Sequence, residues 1–251
     1  MSDNVIQSLW IGPRLSSMEK LCIESFLHHG HEFHLYLYSS VDGVPARTTL
    51  CDANKIVPSS RIFYYSENGS CAGFANMFRY KLLLERGGWW VDTDTVCLRP
   101  FDFSESYIFS SESVVTETES LASHHVNNGI IRTPPGTEFM RNNWEYCRQS
   151  DSSSLKWGDT GPKLMARAID QYSLGQYVQP PYVFCPIPFN EWNRVLVPGI
   201  EWRFGAETKA VHLWNEMWRR NNCSKDAGYD PDCLYERFKS LYLNGANNGA
   251  G

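Results

Sequence analysis

The 251-residue sequence lacks two features that mark common protein classes, a long apolar run and clustered cysteines. No apolar run approaches roughly 18 residues, the length that a membrane-spanning helix needs, and no signal peptide is recognisable. The eight cysteines are scattered singly, without a C-x-x-C pair or a Cys/His cluster, which argues against a zinc site. We therefore expect a reduced, cytoplasmic protein, with peripheral docking at the inner face of a membrane left open.

Positive charge is also scarce. The formal net charge is -5, so the chain offers no basic surface and nucleic acid is not an expected partner. Aromatic residues, by contrast, make up 14% of the chain and include nine Trp, more than a core usually needs. Sugar-binding clefts use such rings as stacking platforms, although any single Trp is more often a core residue.

The order of the predicted elements indicates an α/β fold. Strands at 5–11 and 34–38 enclose a helix at 18–28, a start typical of nucleotide-binding domains. The remaining predicted strands are 61–65, 89–91, 107–111, 130–132 after a turn at 127–129, 183–187 and 210–214, and the remaining helices are 74–86, 137–148, one starting near 162, and 231–243. Without repeats or a linker, the chain is expected to form one domain over 1–243, with a flexible tail over 244–251.

The rest of the chain is organised around residues 74–98. Asn76 and Arg79 share one side of the predicted helix, Gly87-Gly88 ends it, and a short apolar strand leads into Asp92-Thr93-Asp94. Asp92 and Asp94 point to the same side of an extended segment, at the strand end where open α/β sheets bind their ligands. Paired carboxylates there suit a divalent ion that neutralises phosphate charge.

This stretch resembles a known family. A-x-x-x-R-Y over 75–80, followed by L-x-x-x-G-G-x-[WY]-x-D-x-D over 83–94, is similar to the sugar-transfer region of DXD-containing glycosyltransferases with a GT-A fold, most of all the Och1-like, capsule-type family (glycosyltransferase family 32). Weaker similarity occurs at 9–12, 160–162 and 212–215. The resemblance implies a single GT-A-type domain with a mostly parallel central sheet flanked by helices. It also implies metal-dependent, retaining transfer from a UDP-sugar to a hydroxyl of a saccharide or lipid-linked saccharide, as in polysaccharide biosynthesis.

The resemblance also implies roles for individual residues. Asp94 would ligate Mn²⁺ or Mg²⁺, and Asp92 would contact the donor, or the metal through water. Arg79 would bind the donor phosphate or sugar, and His212 would complete the metal shell, with imidazole favouring Mn²⁺. The other implied metal or donor contacts are Trp10 stacking on uracil, Asn76, Thr160, Gly161, Asn215 and Trp218, and the candidate acceptor contacts are Asn127, Asn128 and Asp159.

Several alternatives stay open at this point. Trp10, at a strand end, can equally be a core residue, and Asn76 stands where the family usually has Asp, which leaves the donor preference open. Glucose, galactose and their N-acetyl forms are all candidate donor sugars. Acceptor specificity is expected in the loops at 41–60, 112–128 and 188–209.

The reaction itself also has alternatives. No second carboxylate stands out as a nucleophile, which favours front-face transfer, with the leaving phosphate taking the acceptor's proton. Residues 91–96 also fit the D-x-D-x-[TV] pattern of haloacid-dehalogenase-like phosphatases, but the motif lies late in the chain and Gly158-Asp159 lacks the following acid. The second alternative is a non-catalytic nucleotide-sugar-binding module, which metal-dependent turnover would exclude.

Overall fold

The strands of the computed structural model form a six-stranded sheet and a two-stranded sheet. The structure describes residues 5–65, 69–114, 123–152, 154–156 and 158–244, so residues 245–251 of the predicted tail lie outside the described residues. The strands are β1 (Val5–Trp10), β2 (Glu32–Leu37), β3 (Thr49–Asp52), β4 (Gly88–Val91), β5 (Thr95–Cys97), β6 (Ile108–Val114), β7 (Ser123–Thr133) and β8 (Ala210–His212). The helices are α1 (Ser17–His28), α2 (Ala72–Arg86), α3 (Glu138–Gln149), α4 (Pro162–Gln171), α5 (Pro181–Phe184), α6 (Asn215–Arg220) and α7 (Leu234–Lys239).

The large sheet has the order β3-β2-β1-β4-β7-β6, with β1 parallel to both β2 and β4, and β2 parallel to β3. Strand β7 pairs antiparallel with both of its neighbours, β4 and β6. Strands β5 and β8 pair antiparallel in the small sheet. The α/β class, with a mostly parallel central sheet flanked by helices, is therefore confirmed.

The two faces of the large sheet bury separate apolar clusters. Because successive side chains of a strand alternate between faces, Trp90 of β4 packs with α2, α3 and α4, whereas Trp89 packs with α1 and α5. A third cluster joins α1 to β8, α6 and α7. Both faces of β4 are apolar for this reason, and the carboxyl end of β4 lies between two layers of helices.

Helix α1 begins with a capping box, in which Ser16 accepts a hydrogen bond from Met18 N and Glu19 accepts one from Ser16 N. Helix α2 ends at Gly87, whose φ of 62° lies in the left-handed region. Among the described residues, no helix is long and apolar enough to span a membrane.

Several predicted elements differ from the structure. Residues 41–60, expected to be irregular, contain β3, and the strand expected at 61–65 is absent because Tyr65 bonds locally to Gly69 and Ser70. The apolar run at 183–187 begins inside α5 rather than in a strand, because Pro181 at the first helical position favours a helix start. The last helix begins at Leu234 and continues as a π-helical turn, Ser240–Asn244.

The end of α2 yields a stability prediction. A Cβ at Gly87 would lie 2.5 Å from both Cδ and N of Pro135, whereas at Gly136, with φ of 74°, it would meet nothing within 4 Å. Both substitutions to Ala incur left-handed strain of about 1–2 kcal/mol, but only Gly87→Ala adds a backbone clash. We expect it to lower the free energy of unfolding by ~1–3 kcal/mol more than Gly136→Ala. Equal losses in urea unfolding would contradict this packing.

Candidate active site

Asp92 directly follows β4 and is hydrogen-bonded to two neighbouring elements. The backbone N–H of Asp92 donates to Gly129 O of β7 at 2.8 Å. Its Oδ1 accepts from Arg79 Nη2 at 2.6 Å and from Trp90 Nε1 at 2.8 Å. Burial raises the pKa of Asp92 even though the Arg79 charge opposes that shift. With Oδ1 engaged, Oδ2 is the oxygen that remains to face a ligand.

Arg79 is a buried cation fixed in position by its neighbours. Its side chain is 4% exposed, and its guanidinium carbon lies 4.7 Å from the centre of the Trp90 ring. Its Nη1 donates to the backbone O of Asn128, in addition to the bond with Asp92. Such a guanidinium presents its N–H donors in a fixed direction.

Asp94 and His212 form a buried pair. Asp94 Oδ1 lies 3.0 Å from His212 Nε2, and the two side chains are 13% and 9% exposed. Burial alone would lower the pKa of His212, but the Asp94 carboxylate raises it well above its ordinary value. Burial likewise would raise the pKa of Asp94, but His212 and the bond from Asn215 N lower it overall. Both groups are therefore charged near neutral pH.

The backbone after β8 completes the binding of Asp94. Leu213 N donates to Asp94 O and Asn215 N donates to Asp94 Oδ2, each at 2.8 Å. Between them Trp214 has a φ of 59° and a ψ of 53°, a left-handed conformation that is uncommon for a bulky residue. Its ring centre lies 4.1 Å from that of His212, and its Nε1 donates to Ile187 O. The turn at Trp214 thus directs two N–H groups at one aspartate.

Asp92, Asp94 and His212 form a group that can hold a metal ion. One ligand atom from each lies within 4.8 Å of the others, and no other such His, Cys, Asp or Glu group occurs in the described part of the chain. Two carboxylate oxygens and one imidazole nitrogen suit a divalent cation such as Mn²⁺. The donor set therefore fits the metal that the sequence predicts.

A second polar network lies beside Arg79. Asn128 Nδ2 donates to Asn76 Oδ1 at 2.8 Å, and Asn76 Nδ2 lies 3.4 Å from Thr160 Oγ1. Gly161 packs tightly against this network, because a Cβ there would lie 3.1 Å from Asn76 Nδ2. Since Asn128 O also binds Arg79, the structure brings Asn76, Thr160 and Gly161 together next to the Arg79–Asp92 pair.

Other predicted contacts have different surroundings. Trp10 lies at the end of β1, half-buried, with the Lys225 ammonium 5.6 Å from its ring centre. Trp218 is fully buried and donates to Leu213 O, so its ring has no surface for a ligand, which argues against the predicted donor contact. Asn215 reaches Asp94 through its backbone, and Asp159 bonds within its own turn.

Gly129 is a site residue that the sequence did not single out. A Cβ there would lie 2.9 Å from Asn127 Oδ1, 3.4 Å from Asp92 Oδ2 and 3.5 Å from His212 Cε1. The predicted turn at 127–129 is instead part of β7, which places Gly129 next to both Asp92 and His212 of the metal site. Its proximity to His212 depends on chain pairing that no local pattern reveals.

Comparison with known proteins points to the same class. Residues 19–118 match the family model described as "Glycosyltransferase sugar-binding region containing DXD motif". A Homo sapiens protein named "Alpha-1,4-N-acetylglucosaminyltransferase" is 29% identical in an alignment of 156 residues that covers 55% of this chain and 41% of the relative. The chain thus spans less than half the length of that relative. The predicted resemblance to DXD-containing glycosyltransferases is confirmed.

Two solved structures of glycosyltransferases are more distant. "PaToxG Glycosyltransferase" has a TM-score of 0.48 at 17% identity, covering 69% of this chain and 70% of its own. The glycosyltransferase GlyE of Streptococcus pneumoniae TIGR4 has a TM-score of 0.36 at 11% identity, covering 71% of this chain and 45% of its own. Likenesses this distant transfer no property to the chain.

The Asp94–His212 pair yields a prediction about pH. In metal-free protein, His212→Asn should lower the free energy of unfolding by on the order of 3 kcal/mol, because it leaves a buried carboxylate unpaired. This loss should be greatest between the ordinary pKa values, 3.8 for Asp and 6.5 for His. It should shrink as pH rises above 6.5 through the raised pKa of His212, and as pH falls below 3.8 through the lowered pKa of Asp94.

Urea unfolding at a series of pH values, with chelator present, measures this difference. His34→Asn is the matched control, because His34 lies 3.7 Å from the exposed Glu32 and its ion pair is solvated. The control should change stability by less than about 1 kcal/mol at every pH. A His212→Asn loss that is the same at all pH values would contradict a charged pair.

Proposed function

We propose that this chain, whose residues 19–118 carry the DXD-type sugar-binding region of glycosyltransferases, is a metal-dependent retaining glycosyltransferase. It would move a sugar from a UDP-sugar to a hydroxyl of a saccharide or lipid-linked saccharide. The observation that carries this proposal is the convergence of Asp92, Asp94 and His212 at the end of β4, next to the buried Arg79. Cytoplasmic location, membrane docking and a role in polysaccharide biosynthesis stay predictions.

The metal site is assembled from distant parts of the chain. Asp94, His212 and the free Oδ2 of Asp92 are the groups that would hold the ion. A bound divalent cation supplies positive charge to the diphosphate as it leaves, which lowers the barrier to breaking the glycosidic bond. His212 must release the proton that Nε2 shares with Asp94 before it can act as a ligand, so metal affinity should weaken at low pH.

Arg79 would bind the departing diphosphate from the other side of Asp92. Its guanidinium is held by Asp92, Asn128 O and the Trp90 ring, so little reorganisation is needed when negative charge develops nearby. Its Nε has no hydrogen-bond partner among the described residues, although the side chain is buried. Because that N–H is itself buried, it contacts no ligand in this arrangement, and Arg79 would act on the diphosphate through its charge.

The network of Asn76, Asn128 and Thr160 would recognise the transferred sugar. Each amide both donates and accepts, so the network can exchange internal bonds for bonds to sugar hydroxyls. The name of the human relative makes UDP-N-acetylglucosamine the first donor to test, with the glucose and galactose forms beside it.

The expected chemistry is front-face substitution. The bond between the anomeric carbon and the phosphate oxygen breaks, and the acceptor oxygen forms its bond on the same face of the sugar, which retains the configuration. The acceptor's proton passes to the leaving phosphate oxygen, and UDP departs. Arg79 and the acidic pair orient the donor, and none of them forms a covalent bond to the sugar.

A donor panel tests this function. Purified protein is incubated with UDP-glucose, UDP-galactose, their N-acetyl forms and GDP-mannose, with Mn²⁺ or with chelator, and nucleotide release is followed. We expect slow Mn²⁺-dependent UDP release from one donor, reduced roughly 10³-fold in Asp94→Asn. Asp170→Asn, the same change at an exposed site on α4, is the control and should keep full activity. Metal-dependent UDP binding without release from any donor, with or without acceptors, would instead indicate a binding module.

Gly129 gives a second test of the site. Gly129→Ala places a methyl group between Asp92 and His212 without left-handed strain, so the fold should persist while the ligand space is lost. We expect Mn²⁺-dependent UDP binding, measured by calorimetry, to weaken by at least about tenfold. Gly205→Ala, where a Cβ would meet nothing within 4 Å, should bind normally. Unchanged UDP binding by a folded Gly129→Ala protein would place the ligand elsewhere.

A further inference from the structure

Glu112 is an acidic residue near the site that the proposed mechanism does not use. It lies on β6, the outer strand of the sheet, directly opposite His125 of β7. Asn127, two residues further along β7, forms a side-chain hydrogen bond with Glu112. The Glu112 side chain is half-buried and therefore partly accessible to a ligand.

A chain of contacts joins Glu112 to the metal site. Asn127 Oδ1 accepts from Gly129 N at 2.6 Å, so the Asn127 amide N–H group is the part that donates to Glu112. Gly129 in turn lies against Asp92 Oδ2 and His212 Cε1. Burial raises the pKa of Glu112, while the charges of His212 and His125 pull it down. Glu112 therefore lies within electrostatic reach of His212.

The chemistry of this position selects one kind of ligand. A carboxylate repels phosphate, so Glu112 would not bind the diphosphate itself. An ionised carboxylate accepts at about four positions, and the bond from Asn127 uses only one of them. Sugar hydroxyls are donors, and hydrogen bonds from them to a partly buried carboxylate are charge-assisted and strong.

We propose that Glu112 accepts a hydrogen bond from a pyranose hydroxyl held beside Asp92 and His212. The hydroxyl belongs either to the sugar being transferred or to the acceptor, and the two arms of the test below distinguish them. This inference rests on the proposed glycosyltransferase function, and the role is hydrogen bonding rather than nucleophilic attack.

The first arm of the test compares two ligands by calorimetry in Mn²⁺, UDP and UDP-N-acetylglucosamine. If Glu112 binds the transferred sugar, Glu112→Gln should bind UDP normally and UDP-N-acetylglucosamine about tenfold more weakly, the effect of losing a charge-assisted hydrogen bond. Glu112→Asp keeps the charge but shortens the side chain, so its affinity for UDP-N-acetylglucosamine should lie between those of the wild-type protein and Glu112→Gln. Glu105→Gln, the same change at an exposed site just before β6, is the control.

The second arm measures transfer to a panel of p-nitrophenyl hexosides. If Glu112 binds the acceptor, both ligands bind normally in the first arm, and the KM for the acceptor rises about tenfold in Glu112→Gln. Weaker binding of UDP-N-acetylglucosamine alone in the first arm, or a raised acceptor KM in the second, supports the proposal and identifies which sugar is bound.

Three results would overturn the inference. Wild-type behaviour of Glu112→Gln in both arms would show that no sugar hydroxyl is bound there. Equal weakening of UDP and UDP-N-acetylglucosamine would show that Glu112 acts through the metal or nucleotide. A mass increase of one sugar on the wild-type protein, absent in Glu112→Gln, would show that Glu112 is a nucleophile.

If the wild-type protein bound neither UDP nor UDP-N-acetylglucosamine, the proposed glycosyltransferase function itself would fail. That result is distinct from the three that would overturn the role of Glu112. If Glu112→Gln does not fold, Glu112→Asp carries both arms, with a smaller expected change.

Discussion

The buried carboxylate of Asp94 sets the constraint on which the site depends. Burying a charge is costly unless charged and hydrogen-bonded partners compensate it. His212 and the N–H groups of Leu213 and Asn215 provide that compensation, from more than a hundred residues further along the chain. The pairing of β5 with β8 brings them into place, so the C-terminal segment cannot detach without exposing an unpaired aspartate.

The two carboxylate oxygens of Asp92 have different roles. Arg79 and Trp90 hold Oδ1, while Oδ2 faces Gly129 and the His212 side of the site. The same Arg79 also binds β7 through Asn128, which carries the polar network toward Asn76 and α4. Metal, diphosphate and sugar positions are thereby linked through a small number of buried polar contacts.

The features predicted from sequence are those coded by local spacing. The i, i+2 spacing of Asp92 and Asp94 and the helix preceding them could be found because they lie within one short stretch. Gly129 and Glu112 could not, since their proximity depends on the register of two antiparallel strands. The left-handed Trp214 was also hidden, because nothing in its identity favours that backbone. The apolar run at 183–187 was misassigned because its helix start depends on Pro181, just before it.

The most direct test of the account is anomalous diffraction from crystals grown with Mn²⁺ and UDP. Data collected on either side of the manganese absorption edge locate the ion independently of any structural assumption. The account predicts one peak within about 2.0–2.3 Å of a ligand atom of Asp94 and of His212, with the UDP diphosphate between it and Arg79. A manganese peak elsewhere, or UDP bound away from Arg79 with no ion, would contradict the central claim.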